Sequence, residues 1–461
     1  MATGHVSSAQ LARSVIDAIR VNIIVLHFIK RYEYSKNRSF HTQIKIKLLP
    51  HLRLFMTKSC LILVTLIIFV FSANGQKIDG SKIKAHVKTL AGDDYEGRGT
   101  GSAGEKKAND YIESQFKKIK LLPKGETGYD QSFPFKGGVH GAGAEGTATN
   151  IAGYIDNGAE NTIIVGAHYD HLGLGNDGSS LDPNPANKIH NGADDNASGT
   201  AGVIELARYF QENGKKEKYN LLFLCFSGEE LGLYGSKYFT EHPTVDLSKV
   251  NYMINLDMVG RLSPDTKALH VSGSGTSPVW EPLLQKLSGD QVKITTDSSG
   301  TGPSDHTSFY LKNIPVLHFF TGSHSDYHKP SDDIDKINVE GEVEVLKVIV
   351  KVIEDLDASP KLAFLTTKSK AMSSRSSFKV TMGIMPSYTA DEEGLKVDGV
   401  SEGKPAQKAG LVAGDVIIQM GDVVVKDIQN YMEALGKYEK GQTIPVKFKR
   451  KGEVMTANVT F

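Results

Sequence analysis

The chain has 461 residues, of which 39% are hydrophobic and 23% charged, and it holds 46 glycines against 16 prolines. Its length allows two or three domains of about 150 residues each, and its composition excludes a disordered, collagen-like or multi-span membrane protein. The formal net charge is +0, but residues 76–461 hold 43 basic against 51 acidic side chains, which argues against nucleic acid as the main partner.

The first predicted element along the chain is a signal peptide at residues 56–75. Residues 60–71 (CLILVTLIIFVF) form an apolar run that is shorter than the ~20 residues of a membrane-spanning helix but typical of a signal-peptide core. Lys58 precedes this run, and Ala73 and Gly75 follow it in the small-x-small pattern of a cleavage site. We therefore expect cleavage near Gly75 and export to the periplasm or the cell exterior, with no stable membrane span afterwards.

Residues 1–55 precede the signal peptide and carry nine Lys and Arg against two acidic residues. They show neither helix caps nor an apolar period, so we interpret them as a non-native upstream extension. The alternative is a cytoplasmic tail on a membrane anchor, against which the short apolar run argues. Because Cys60 lies in the segment expected to be removed, Cys225 would have no disulfide partner and the fold would depend on its core.

Two domains are predicted beyond the signal peptide. Residues 76–357 alternate apolar, β-branched runs with amphipathic stretches, which indicates an α/β domain with a mixed, mainly parallel sheet flanked by helices. Residues 358–377 are rich in Ser, Thr and Lys, as is typical of a linker. Residues 378–461 contain short strand patterns, glycine turns and one helix pattern, and we expect a small, mostly β domain there.

Polar clusters follow four apolar runs of the first domain. Ligands of parallel sheets bind beyond the carboxyl ends of the strands, so these clusters should meet at one edge, together with Asp194 and Asp195. Converging carboxylates repel one another unless cations or protons neutralise them, and imidazoles alongside favour zinc over calcium or magnesium. Taken singly, each cluster could instead be a hydrogen-bonded pair or a helix cap. The clusters are His168 to His171 after residues 162–167, Glu229 and Glu230 after 220–226, Asp257 after 250–256, and His324 to His328 after 314–320.

Five strings in the first domain resemble the co-catalytic two-zinc exopeptidases. This family includes secreted bacterial leucine aminopeptidases, glutamate carboxypeptidases and glutaminyl cyclases. The likeness runs from about residue 90 to about residue 356, and the strings occur in the family's order. They are HYDHLG (168–173), GADDNASG (192–199), FSGEELGLYGS (226–236), NLDMVG (255–260) and YHKPSDD (327–333), and DDYEGRGTGSAG (93–104) is also similar.

The resemblance implies two zinc ions per chain, with Asp195 as the ligand that bridges them. His168 and Asp257 would complete one site, and Glu230 and His328 would complete the other. Three protein ligands per ion leave one position open for water, as catalytic zinc requires.

The resemblance also implies roles for the residues beside these ligands. Asp170, two residues after the histidine of the first site, would fix the tautomer of that histidine or the neighbouring loop. If Glu230 is a ligand, the adjacent Glu229 is free to act as general base on a water held between the zinc ions, and to return the proton to the leaving amine. Tyr327 resembles the family's tyrosine that hydrogen-bonds the oxyanion, although it could instead be a packed aromatic in a loop.

Several other polar residues are given lesser roles. His324 and His328 have the spacing of a helical zinc pair, but Pro330 favours a loop, so we take His328 alone as a ligand. His306 could line the substrate pocket. Arg261 could contact the substrate or form a buried ion pair. The residues expected to be structural are His171, His190, His318 and Cys225.

The second domain resembles, over residues 378–461, the PDZ domains of exported bacterial proteases. By resemblance, Met382, Gly383 and Ile384 form the loop whose amides hold the terminal carboxylate of a peptide that is added as a strand. In the alternative, the domain only packs on its neighbour or mediates assembly. The strings that carry the likeness are TMGIM (381–385), LKVDGV (395–400) and GKPAQKAGLVAGDVIIQMG (403–421), followed by a predicted helix at about 428–435.

Together, the resemblances imply an exported zinc aminopeptidase that removes N-terminal residues from peptides, with a PDZ domain that binds peptide or protein partners. A carboxypeptidase or a glutaminyl cyclase of the same family is the alternative enzyme. The alternative of a different class is an inactive, peptidase-like binding protein. Such a protein should lack a metal ligand or the equivalent of Glu229, whereas this chain holds all of them.

Overall fold

The structure is a computed structural model, and it describes residues 77–136, 145–176, 179–367, 380–386, 394–400, 403–426 and 428–461. The predicted extension and signal peptide lie outside the described residues, and so does most of the predicted linker. No helix in the described part of the chain is both long enough and apolar enough to cross a membrane.

The first domain is built on a mixed sheet of nine described strands in the order β1-β3-β5-β4-β6-β9-β7-β8, with β2 paired to β3. The four central strands run parallel, whereas β3 and β7 join them antiparallel on either side. The predicted mixed α/β sheet is therefore confirmed. Its strands are β1 (Leu122–Pro123), β2 (Asp130–Lys136), β3 (Glu145–Ile155), β4 (Thr162–His168), β5 (Asn220–Phe226), β6 (Val250–Leu256), β7 (Ala268–Ser272), β8 (Lys293–Asp297) and β9 (Val316–Phe320).

Burial explains why the central strands appear in the sequence as continuous apolar runs. Every residue of β4, β5, β6 and β9 is buried, because helices and loops cover both faces of the sheet. None of these four strands contains a charged Asp, Glu, Lys or Arg, although Asn255 and His318 are polar residues buried inside β6 and β9. The charged side chains of the site therefore lie beyond the strands, at the carboxyl edge.

Seven α-helices are described in the first domain, and three of them begin at a side-chain N-cap. Asp79, Ser102 and Asn338 each accept a hydrogen bond from a backbone N–H in the first turn of the helix that follows. The helix after Ser198 buries an apolar stripe from Val203 to Phe210. The helices are α1 (Gly80–Leu90), α2 (Ala103–Ile119), α3 (Gly199–Glu212), α4 (Tyr234–Glu241), α5 (Trp280–Leu287), α6 (His306–Tyr310) and α7 (Val339–Leu356).

Residues 358–367, the first half of the predicted linker, pack on the first domain. The N–H of Leu362 donates to Asn251 Oδ1 (2.7 Å), and Leu362 joins the hydrophobic core. The N–H of Thr367 donates to the hydroxyl of Tyr310 (2.9 Å). The chain therefore remains attached to the α/β domain for ten residues beyond the point at which the linker was predicted to begin.

The second domain is a separate antiparallel sheet with its own hydrophobic core, which includes Val397, Ile417, Val446 and Phe448. Strands β10, β11, β12, β14 and β15 follow one another across the sheet, and β13 pairs with β12. The predicted small, mostly β domain is confirmed. Its elements are β10 (Ile384–Pro386), β11 (Leu395–Val400), α8 (Pro405–Lys408), β12 (Val416–Met420), β13 (Val423–Val424), α9 (Ile428–Leu435), β14 (Thr443–Arg450) and β15 (Glu453–Thr460).

Candidate metal centre and active site

The predicted polar clusters meet in one cleft at the carboxyl edge of the first sheet. His168 is the last residue of β4, Glu229 and Glu230 follow β5, and Asp257 follows β6. Asp195 comes to the same place from the segment that leads into α3. The described residues that line the cleft are His168, Asp195, Glu229, Glu230, Asp257, Met258, Pro303, Ser304, His318, Phe320, Ser323 and Tyr327.

One group of three donors could hold a first metal ion. Nε2 of His168 lies 3.5 Å from Oδ1 of Asp195 and 3.5 Å from Oδ1 of Asp257. Tetrahedral zinc with ligands at about 2.0–2.1 Å separates neighbouring donor atoms by about 3.3–3.4 Å. The three side chains therefore stand at the spacing that a zinc ion between them requires.

A second group shares Asp195 with the first. Nε2 of His328 lies 3.3 Å from Oδ2 of Asp195 and 3.1 Å from Oε2 of Glu230. Asp195 thus directs one carboxylate oxygen to each group, which is the geometry of a bridging ligand. Its neighbour Asp194 is engaged elsewhere, because it accepts hydrogen bonds from the N–H of Gly260 (2.7 Å) and the hydroxyl of Ser198 (3.1 Å).

His171 belongs to the site, and the expectation that it is an ordinary structural residue was wrong. Its Nδ1 lies 2.7 Å from Oε1 of Glu230 and 3.8 Å from Asp195, so it too could be grouped with these two carboxylates. A separation of 2.7 Å is a hydrogen bond, however, and is too short for two ligands of one zinc ion. The geometry therefore favours His328 as the donor and His171 as the hydrogen-bond partner that orients Glu230.

Backbone carbonyls orient both imidazoles towards the cleft. Nδ1 of His168 lies 3.2 Å from the carbonyl of Asp170, and Nδ1 of His328 lies 3.1 Å from the carbonyl of Ser179. When Nδ1 carries the proton and donates it to the carbonyl, Nε2 of each ring keeps a lone pair that can bind a metal ion. Ser179 was not anticipated, because the loop that contains it bears no sequence signal for this contact.

The carboxylate of Asp170 contacts residues at the ends of two strands, β4 and β5, and not His168 alone. It lies 3.6 Å from Nδ1 of His168. It also accepts hydrogen bonds from the N–H of Glu229 (3.2 Å), the N–H of Glu230 (3.4 Å) and the hydroxyl of Thr100 (2.9 Å). The predicted contact with the histidine is present, and the contacts with the Glu–Glu pair are additional.

The two adjacent glutamates have different surroundings. Glu230 is engaged by His171 and His328, whereas Glu229 lines the cleft without a place in either donor group. Burial and the nearby charge of Glu230 raise the pKa of Glu229 well above its usual value, although His168 opposes the shift. Burial also favours the neutral form of Asp257, but the charge of His168 overcomes it and lowers the pKa of Asp257 to about 2.

Tyr327, His318 and His306 lie around the same cleft in different positions. Tyr327 lines it and stacks on the ring of His328, with ring centroids 3.9 Å apart. His318, which was expected to be an ordinary residue, also lines the cleft but belongs to neither donor group. His306 stacks flat on His318 at 4.5 Å and is not among the described residues that line the cleft, so the suggested place in the substrate pocket finds no support.

Arg98 is a residue of this region that the sequence reasoning missed. Its guanidinium is fully buried and donates to four backbone carbonyls, which belong to Leu90, Tyr169, Asn191 and Gly192. Burial lowers its pKa to about 10, and the carboxylates of the cleft oppose that shift. Arg98 thus ties the loop after β4 to the segment that precedes Asp195. Its only sequence signal was its place in the string DDYEGRGTGSAG.

The remaining predicted residues lie outside the donor groups. His324 is hydrogen-bonded to Asp194 through Nε2 (3.2 Å) and is no part of the groups. Arg261 forms ion pairs with Asp326 (2.8 Å) and Asp332 (2.7 Å), which decides between its two suggested roles. His190 bonds the hydroxyl of Ser180 (2.7 Å), and Cys225 is buried in β5, as expected of structural residues.

The predicted peptide-binding loop of the second domain precedes β10. Met382 is fully buried, and its carbonyl accepts a hydrogen bond from the N–H of Ala406 (2.9 Å). Gly383 has φ +71, a left-handed conformation that glycine adopts without strain. Ile384 begins β10, which stands at the edge of the second sheet in the described part of the chain.

The donor atoms of the cleft suit zinc. Imidazole nitrogens and carboxylate oxygens are zinc ligands, and their spacing matches tetrahedral coordination on both sides of Asp195. Within the described residues, the buried Oδ1 of Asp257 makes no hydrogen bond, as expected of an atom that a cation would satisfy. Four carboxylates in one cleft also require positive charge.

Curated proteins are similar to part of the chain. The chain is 28% identical over 261 residues to Leupeptin-inactivating enzyme 1 of Streptomyces exfoliatus, an alignment that covers 56% of this chain and 52% of that protein. It is 32% identical over 192 residues to Aminopeptidase YwaD of Bacillus subtilis (strain 168), which covers 39% of this chain and 37% of that protein. The chain therefore spans about half or less of the length of these relatives.

Solved structures with a similar chain path include the Legionella pneumophila LapA aminopeptidase, with a TM-score of 0.48 and 21% identity over 61% of this chain and 72% of that one. BSAP, a zinc aminopeptidase from Bacillus subtilis, has a TM-score of 0.49 and 19% identity over 64% of this chain and 98% of that one. Family matches are more direct, because residues 150–353 match peptidase family M28 and residues 380–461 match the PDZ domain. The chain thus carries a domain of peptidase family M28 followed by a PDZ domain.

Proposed function

We propose that the protein is a zinc-dependent aminopeptidase whose PDZ domain binds peptide or protein partners. The observation that carries the proposal is the arrangement around Asp195, whose two carboxylate oxygens face two separate donor groups at zinc spacing. Asp195 would be a ligand of two zinc ions, of which one would also be held by His168 and Asp257 and the other by Glu230 and His328.

The bound zinc ions would supply Lewis-acid polarisation of the peptide carbonyl and lower the pKa of the attacking water. Glu229 accepts the proton of that water and returns it to the leaving amine. The position of Glu229 supports this role, because Glu229 lines the cleft outside both donor groups.

Neighbouring residues hold this machinery in place. Asp170 fixes the backbone N–H groups of Glu229 and Glu230, so that one glutamate remains a base and the other a ligand. His171 donates to the second oxygen of Glu230. Tyr327 supplies a hydrogen bond to the developing oxyanion, a role supported by its position in the cleft beside His328.

The charge of the cleft favours a substrate with a free amino terminus. Four carboxylates line it, and none of the described lining residues is a Lys or an Arg. A carboxypeptidase needs a cation apart from the zinc ions to hold the terminal carboxylate of its substrate, and the described lining offers no Lys or Arg for that purpose. Met258 and Phe320 add apolar surface for the substrate side chain.

The PDZ domain is proposed to capture an extended peptide at residues 382–384. Gly383 shapes the loop that precedes β10, and β10 is at the edge of its sheet in the described residues, where a further strand could pair. We propose a peptidase domain at 76–357, on which residues 358–367 also pack, and a PDZ domain at 378–461. We also propose that the protein is exported after cleavage near Gly75. N-terminal sequencing of the native protein should therefore begin near Gln76.

One comparison of substrates tests the proposed activity. The purified protein with zinc is offered amino-acid anilides, peptides cleavable only at the C-terminus, and peptides with N-terminal glutamine. Rapid hydrolysis of the anilides alone is the expected result. Cleavage only from the C-terminus would indicate the carboxypeptidase, cyclisation of glutamine the glutaminyl cyclase, and loss of all activity despite bound zinc the binding protein.

A further inference from the structure

An ionic bridge, which Arg261 forms with Asp326 and Asp332, lies outside the lining of the cleft that holds the metal-donor groups. One guanidinium nitrogen of Arg261 (Nη1) contacts Oδ2 of Asp326 at 2.8 Å, and the other (Nη2) contacts Oδ1 of Asp332 at 2.7 Å. The side chain of Asp332 is 0% exposed and that of Arg261 is 13% exposed. A carboxylate buried this deeply needs its cation and its hydrogen bonds to remain ionised without large cost.

The second carboxylate oxygen of Asp332 contacts the backbone of Asp195, the residue proposed to bind both zinc ions. Oδ2 of Asp332 accepts hydrogen bonds from the backbone N–H of Asp194 (2.9 Å) and from that of Asp195 (3.0 Å). The carbonyl of Asp332 accepts a third from the N–H of Ala193 (3.1 Å). Asp332 therefore holds three consecutive amides, including the amide of the residue that faces both donor groups.

The bridge joins three segments that each supply a metal donor. Residues 193–195 contain Asp195, residues 257–261 begin with Asp257, and residues 326–332 contain His328. Arg261 and Asp332 connect the second and third segments to each other, and Asp332 connects both to the first. None of the three bridge residues is among the described residues that line the cleft.

We propose that Asp332, held by Arg261, is a positioning residue for the bridging carboxylate of Asp195. The inference rests on the proposed function, because it concerns the residue assigned there to both zinc ions. A shift of the Asp195 backbone moves Oδ1 and Oδ2 together, so loss of the bridge weakens both zinc sites. Partners that orient metal ligands are typically worth 10–100-fold in metal affinity.

Three variants test the bridge, with two matched controls in the PDZ domain. Asp332→Asn keeps an oxygen for the two amides but loses the ion pair. Arg261→Met removes the cation, and Arg261→Lys retains a charge that reaches only one carboxylate. The controls are Asp415→Asn and Arg450→Met, because Asp415 is also 0% exposed, pairs with Arg450 at 2.7 Å and accepts a backbone N–H from Val412 at 2.9 Å.

The measurements are zinc affinity, by competition with a chromophoric chelator, and the visible absorption of the cobalt-substituted protein. Thermal unfolding in excess chelator shows whether each variant folds without metal. We expect Asp332→Asn and Arg261→Met to lose 10–100-fold in affinity at both sites and to change the cobalt spectrum, with Arg261→Lys intermediate and both controls unchanged. If the first two variants fail to fold, Arg261→Lys decides.

Unchanged zinc affinity in the folded bridge variants, with wild-type protein binding two ions, would overturn this inference alone. Equal losses in the PDZ controls would overturn it as well, because general destabilisation would then explain the effect. A wild-type protein that binds no zinc would overturn the proposed function and the inference with it.

Discussion

Replacement of Glu229 by Gln tests whether the proposed general base is distinct from the proposed metal ligands. Gln has nearly the same size and can still be held by the N–H contact between residue 229 and Asp170 (3.2 Å), but it cannot accept a proton. Glu229 belongs to neither donor group, so zinc content should remain that of the wild type. Substrate binding should also change little, because the geometry of the cleft is retained.

The expected loss follows from the number of steps that use this residue. General acid–base catalysis typically contributes 10²–10⁴ in rate, which corresponds to about 3–5 kcal/mol of barrier. In the proposed reaction, Glu229 both activates the water and protonates the leaving amine, so we expect a loss of kcat towards the upper part of that range. KM should change much less, because the substitution removes no binding group.

The assay compares kcat, KM and zinc content for three variants. Glu230→Ala should lose zinc, since it removes a ligand that His171 and His328 also contact. Glu342→Gln is the control, because Glu342 is a fully buried carboxyl group on α7 whose pKa burial also raises, and it does not line the cleft. Loss of zinc in Glu229→Gln, or near-normal turnover, would refute the roles assigned to the adjacent pair.

Three further predictions address the bridging ligand, the second domain and acid stability. Asp195→Asn should lose zinc from both sites together with activity, and full metal loading in that variant would disprove bridging. Removal of residues 378–461 should leave hydrolysis of amino-acid anilides nearly unchanged but weaken action on longer peptides, since that domain has a separate core; equal loss on both would favour a packing role. Burial and nearby lysines lower the pKa of His86 to about 4 in the folded protein, from about 6.5 unfolded, so folding stability should fall as the pH drops from about 6.5 to 4. His86→Gln should remove up to about 3 kcal/mol of that fall in urea titrations with chelator present, and an unchanged pH dependence would contradict the assignment.

The sequence by itself determined the classes of both domains and the edge of the first sheet at which the polar clusters would meet. The central strands are buried on both faces, so their apolar runs were visible as strands, and charged residues such as Asp257 follow these strands instead of lying within them. The second domain was predicted as closely, since β11 and α9 occupy the residues expected of them. Local pattern was sufficient in these places because the hydrophobic pattern that predicts a strand or a helix lies within a run of consecutive residues.

Only the tertiary structure decided which side chains form hydrogen bonds with the metal donors and with the segments that carry them. His171 and Glu230 are 59 positions apart, Arg98 and Gly192 are 94 apart, and Asp332 and Asp195 are 137 apart, yet each pair is hydrogen-bonded. Such contacts depend on how loops from different strands meet, and hydrophobic periodicity holds no information about that. The residues that hold the metal donors in place therefore emerged only from the folded arrangement, because a hydrogen bond needs a defined distance and direction between groups that the sequence leaves far apart.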